Sequence, residues 1–77
     1  MDINSDPIFK KAIKIGYDYG GVSVSLLQRK LGVGYPRAAK VVDWLTDNGF
    51  ITPNVVDKKH QMVMPIEEFE EKYGGEN

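Results

Sequence analysis

Residues 25–45 read "SLLQRKLGVGYPRAAKVVDWL", and the punctuation inside this stretch decides the fold. Two helical rhythms flank "GVG" (32–34), where glycines offering positive φ allow a tight turn between helices. The first rhythm, Ser25 to Leu31, opens with Ser25 and Gln28 at the spacing of a capping box. The second opens on Tyr35-Pro36, with proline at the start of the helix, and runs to Asn48-Gly49, a C-terminal stop. On a wheel of about 100° per residue with Tyr35 at zero, Ala38, Val41, Val42 and Leu45 fall between about 240° and 340°, with Tyr35, Ala39 and Thr46 beside them. That is the core face. Pro36, Lys40, Asp43 and Asp47 fall between about 80° and 140°, and Arg37, Trp44 and Asn48 between about 180° and 220°. Such an outer face has two readings. It offers donors for phosphates and guanine edges and an acceptor for a cytosine amino group, as a major-groove helix must; it is equally the solvated side of an ordinary amphipathic helix.

Working outward, "DPIFKKAIKIGYDYGG" (6–21) places Asp6 as an N-cap and Pro7 at the first helical position, with Ile8, Phe9, Ala12, Ile13 and Gly16 near one face. Gly20-Gly21 ends that helix. "VSVS" (22–25) is a short β-branched alternation. After the third helix, "FITP" and "NVVDKKHQMVM" form a β-hairpin with "DKKH" at its tip. "PIEEFEEKY" adds a last helical turn or two. The expected architecture is α+β: a winged helix-turn-helix with helices near 6–17, 25–31 and 35–48, followed by a β-hairpin wing near 50–64. Residues 1–5 form an N-terminal tail, 6–64 the domain and 65–77 an acidic C-terminal tail. The expected core includes Ile8, Ile13, Leu26, Leu27, Leu31, Val42, Leu45 and Ile51.

With 77 residues the chain holds one small domain, and its 42% hydrophobic content is that of a folded chain. The formal charge of −1 conceals an uneven distribution: residues 1–64 carry nine Lys/Arg against six Asp/Glu, while residues 65–77 carry one Lys against five Glu. A mildly basic body with an acidic appendage is compatible with a polyanionic partner. The chain has no cysteine, hence no disulfide and no thiolate metal site. No run approaches the roughly 18 apolar residues that span a bilayer, and Met1 is followed by "DINSD" rather than a signal sequence. A cytoplasmic location without direct membrane contact is expected.

No constellation carries catalysis. There is no G-x-x-x-x-G-K-[ST] phosphate loop, and Ser23 and Ser25 read as strand and cap rather than nucleophiles. His60, the single histidine, has no acidic partner at ligand spacing and reads as an exposed wing residue. No metal, cofactor or small-molecule ligand is expected. Trp44 either packs beside the wing or stands out as a partner contact.

The string "SVSLLQRKLGVGYPRAAKVVDWLTDNGFITP" (23–53) closely resembles the C-terminal gamma domain of the FtsK/SpoIIIE DNA translocases. "SLLQRKL" and "GYPRAAK" carry the specificity of the match, which extends over about residues 6–64. The resemblance implies a non-catalytic winged helix that binds short, polar, G-rich motifs in double-stranded DNA and so orients a translocase during chromosome segregation. It also implies contact with a site-specific tyrosine recombinase, a protein-interaction role that stands as the alternative. In a full translocase the domain would lie at the cytoplasmic end of a membrane-anchored protein. Carried over by position, the base-reading residues are Pro36, Lys40 and Asp43, with Arg37 beside them. Apart from the resemblance, Arg29 and the hairpin-tip Lys58 and Lys59, whose charge can reach the phosphate backbone, complete the expected DNA-binding set. The family pattern has Asn at the place of Pro36 and Arg at the place of Lys40. Proline offers no side-chain donor, and lysine lacks the planar fork that grips guanine O6 and N7.

Overall fold

A computed structural model describes residues 7–56 and 58–74. Pro7–Tyr19 form helix α1, Gly21–Val22 strand β1, Val24–Leu31 helix α2 and Tyr35–Asp47 helix α3. Ile51–Val56 form β2, Lys59–Met62 β3 and Ile66–Phe69 the short helix α4, which continues into a π-type turn over Glu70–Gly74. The molecule is thus a small α+β domain of four helices and one three-stranded antiparallel sheet among the described residues, an arrangement compatible with a winged helix. The sheet order is β1-β3-β2.

The apolar spacing of α1 does what its sequence implies: Phe9, Ala12, Ile13 and Gly16 are buried. The helix runs two residues beyond the expected end, to Tyr19, because the left-handed turn that stops it is made by Gly20 at φ 76°. The expected N-cap, Asp6, lies outside the described residues.

At α2 the cap is Ser23, not Ser25. Ser23 is extended at φ −136°, ψ 163°, and its Oγ accepts from Leu26 N–H at 3.0 Å. The capping-box pairing of Ser25 with Gln28 is therefore not formed. The reason lies one element earlier, where β1 is only Gly21–Val22 rather than the whole of "VSVS", so the helix starts sooner. In the "GVG" turn, Gly32 takes the left-handed conformation (φ 68°, ψ 38°) that caps α2, whereas Gly34 is extended and serves as N-cap of α3. Only one of the two glycines supplies a positive φ.

Helix α3 buries Ala38, Val41, Val42 and Leu45, as the wheel requires. One flank departs from expectation. Tyr35, expected beside the core, is 62% exposed. Trp44 takes the packed one of its two expected placements, with its ring centroid 4.4 Å from that of Phe9 and 5.7 Å from that of Phe50, the residue before the hairpin. Of the expected core, Ile13, Leu26, Leu27, Val42, Leu45 and Ile51 are buried, while Ile8 and Leu31 are half-buried and pack at its margin. Phe50, Val22 and Met64 are core residues that the sequence reading did not name as core.

The hairpin pairs Ile51 with Met62, Val55 with His60 and Val56 with Lys59, with an irregularity between Ile51 and Val55. Pro53, which has no N–H to give, lies in that irregular stretch. Side chains supply hydrogen bonds there: Thr52 Oγ1 accepts from Gln61 N–H at 3.2 Å, and His60 Nδ1 donates to the Thr52 carbonyl at 2.7 Å. A carbonyl only accepts, so Nδ1 carries the proton. His60 is accordingly a half-buried strand residue rather than an exposed one at the tip.

The C-terminal segment returns to the body. Phe69 lies 6.0 Å from Phe50 and 6.1 Å from Tyr17, centroid to centroid, and Tyr17 Oη donates to the Met64 carbonyl at 2.8 Å. Burial pushes the Tyr17 phenol above its ordinary pKa, and Glu67, Glu68 and Glu70 add to the shift. The folded protein therefore keeps a proton that the unfolded chain releases near pH 10, so this contribution to stability is full below about pH 10 and is lost as pH rises through the raised native value. Tyr17→Phe is expected to cost about 1 kcal/mol at neutral pH by leaving the Met64 carbonyl without this donor. It should also fall less steeply in stability than the wild type above about pH 10. Denaturant midpoints across that range check both; parallel curves and an unchanged neutral midpoint would remove the Tyr17–Met64 bond from the account.

Candidate nucleic-acid interface

Burial of one face of α3 fixes the direction of the other. Pro36, Arg37, Lys40 and Asp43 are all exposed, and they lie within two turns of one helix. Lys40 and Asp43 are three residues apart and so neighbours on the helix surface. Pro36 is in the first turn, where its missing N–H costs no helical hydrogen bond. Thr46 Oγ1 donates to the Val42 carbonyl at 2.9 Å and Asn48 Nδ2 to the Trp44 carbonyl at 2.9 Å, which closes the far end of the helix.

Six of the seven expected site residues fall into two groups. Pro36, Arg37 and Lys40 border a depression of about 390 Å³ whose floor is apolar, built from Ile8, Phe9, Val41 and Trp44. Arg29, Lys58 and Lys59 border a second depression of about 630 Å³, together with Lys30, Tyr19, Ser23, Ser25 and Leu26. Asp43 borders neither of these two. Two residues thus enter the picture that sequence reasoning passed over, Lys30 and Tyr19. Lys30 sits beside Arg29 in the last turn of α2, and a basic pair there was the available signal. Tyr19 had none, since its contacts reach residues 11 and 40 positions away.

Lys59 differs from the expectation of a cation extended from the tip. It pairs within the sheet and its Nζ donates to the Tyr19 carbonyl at 2.7 Å. Lys58 is the exposed residue of the turn and has φ 66°, the one non-glycine residue with positive φ among those described. The described residues include no cluster of His, Asp and Glu suited to a metal ion and no helix long and apolar enough to cross a membrane.

The FtsK gamma domain family matches residues 3–65 of this chain. The chain belongs to that family. It is similar to the DNA translocase FtsK of Caldanaerobacter subterraneus subsp. tengcongensis, with 37% identity over 70 residues that make up 91% of this chain and 10% of that protein. It is likewise 41% identical over 67 residues to the DNA translocase FtsK of Clostridium tetani, covering 83% of this chain and 9% of that protein. Against the DNA translocase SpoIIIE of Bacillus subtilis the identity is 28% over 67 residues, 87% of this chain and 8% of that protein. The chain therefore spans about a tenth of the length of the curated relatives it matches.

The left-handed backbone at Lys58 gives a direct check on the turn. A side chain there costs about 1–2 kcal/mol that glycine does not incur. Lys58→Gly is expected to be more stable than Lys58→Ala by about 1 kcal/mol, although both remove the same charge. Equal thermal midpoints for the two variants would contradict the turn geometry.

Proposed function

We propose that this gamma domain binds double-stranded DNA as a winged helix and reads a short, polar, G-containing motif, so that a translocase carrying it is oriented during chromosome segregation. In this reading α2 and α3 form the helix-turn-helix, α3 enters the major groove and β2–β3 are the wing. The observation that carries it is the division of α3: its buried side is wholly apolar, and Arg37, Lys40 and Asp43 are exposed on the rest of its surface within two turns. Family membership supports the same assignment. The domain itself performs no catalysis, needs no cofactor and works in the cytoplasm.

Each side chain has a role in this reading. Lys40 donates to guanine O6 or N7, Asp43 accepts from a cytosine amino group, and Arg37 grips phosphate or a neighbouring guanine. Arg29 and Lys58 hold the backbone and carry no sequence information. Pro36 leaves the first turn without a polar group, so the base opposite it is read less strictly than by the asparagine of the family pattern.

The apolar depression floored by Phe9 and Trp44 favours a second reading, in which the domain docks a protein such as a tyrosine recombinase. Salt separates the two. Binding to phosphates weakens with a log–log slope of about −0.9 per phosphate neutralised, whereas a contact centred on aromatic rings does not.

Competition titrations of G-containing against scrambled duplexes at fixed salt test the base-reading role. Lys40→Ala should lose about 1–3 kcal/mol of discrimination while retaining weak nonspecific binding. Lys40→Arg combined with Pro36→Asn should move the preference toward the family's G-rich motif. Full preference retained by Lys40→Ala would transfer the reading to other residues or to the protein-docking role.

A further inference from the structure

Tyr19 is the last residue of α1, and the corner that follows it carries it to the hairpin. Gly20 turns the chain at φ 76°, and Gly21 lies so close to the His60 carbonyl that any Cβ would collide with it. β1 then pairs with β3 through Gly21–Gln61 and Val22–His60. Delivered in this way, Tyr19 meets two cations from different elements. Its carbonyl accepts from Lys59 Nζ at 2.7 Å, and Lys30 Nζ lies 5.1 Å from its ring centroid.

Both contacts are attractive to a cation and bring no charge of their own. A carbonyl at the end of a helix has no intrahelical donor and carries the negative end of the helix dipole. The face of a phenol ring carries the negative part of its quadrupole. The ring is 45% exposed, so it is not spent in the core. Two ammonium groups that repel each other are thereby held at one neutral residue, bordering the same depression as Arg29 and Lys58. Four cations, with no acidic side chain among the described residues that line the depression with them, are suited to a phosphodiester backbone.

We propose that Tyr19 is a positioning residue for DNA-backbone binding: it holds Lys30 and Lys59 so that, with Arg29 and Lys58, they clasp duplex phosphates apart from the base-facing residues of α3. The proposal rests on the DNA-binding reading given above. Tyr19 touches no phosphate in this arrangement and acts through the two lysines. The carbonyl persists in any variant, but the ring does not, so the ring's part is separable through Lys30.

The test is duplex affinity as a function of salt for the wild type, Tyr19→Phe, Tyr19→Ala, Lys30→Ala and the Tyr19→Ala/Lys30→Ala double variant, using one G-containing and one scrambled duplex. Lys30→Ala should flatten the log–log salt slope by about 0.9 and weaken both duplexes alike. Tyr19→Phe keeps the ring and should match the wild type. Tyr19→Ala should weaken both duplexes by about two- to fivefold, with no further loss when added to Lys30→Ala. Tyr19→Ala indistinguishable from Tyr19→Phe overturns the proposal alone, as does an unchanged salt slope in Lys30→Ala, a surface change that decides the matter even where Tyr19→Ala fails to fold. A wild-type domain that binds neither duplex overturns the DNA-binding reading and this proposal with it.

Discussion

Five aromatic rings touch in succession through this domain: Phe9, Trp44, Phe50, Phe69 and Tyr17, with neighbouring centroids between 4.4 and 6.1 Å apart. They belong to α1, α3, the residue before β2, and α4, so the chain of rings ties both halves of α1 to α3, the start of the hairpin and α4. Each such pair contributes about 0.5–1.5 kcal/mol beyond the area it buries, a substantial fraction of the stability that a domain of this size holds. More important than the sum is the direction it imposes. With Trp44 against Phe9 and Leu45 fully buried, α3 has no freedom to roll, and Lys40 and Asp43 are fixed outward.

The functional reading depends on that constraint. A helix that enters a groove has to present a few polar side chains in a constant orientation, because a base edge is read by hydrogen bonds that weaken steeply with angle. Rigidity on the buried side supplies this. The basic depression on α2 and the hairpin is organised differently, by a carbonyl and a ring at the end of α1 rather than by packing. In the proposed complex the two regions divide the work, one selecting sequence and the other supplying salt-dependent affinity.

The inner face of α3 was legible because four apolar residues at helical spacing leave one phase for the wheel, and the structure buries all four. Its edges were not. Trp44 and Tyr35 flank the stripe, and which of two aromatic residues turns inward depends on Phe9, thirty-five positions earlier, which no local pattern encodes. The spacing of Ser25 to Gln28 is right for a capping box, but the length of β1 makes Ser23 the cap, and that length is set by pairing with β3. The hairpin itself was readable from its β-branched runs, while the irregularity around Pro53, and the histidine that bonds across it, follow only from the register. Of the proposed interface, the residues carried by α3 came from the family pattern; Tyr19 and Lys30 did not, since their partnership is tertiary and rests on a glycine corner between α1 and β1.

In the proposed complex the outer face of α3 reads sequence. Selection of the intact domain against a random pool of short duplexes at moderate salt measures this without presupposing a motif. Enrichment of a short G-containing sequence, lost when the same selection is run with Lys40→Ala, is the expected result. A pool that emerges from selection with the wild-type domain no different from the input, while the protein remains folded, would contradict it.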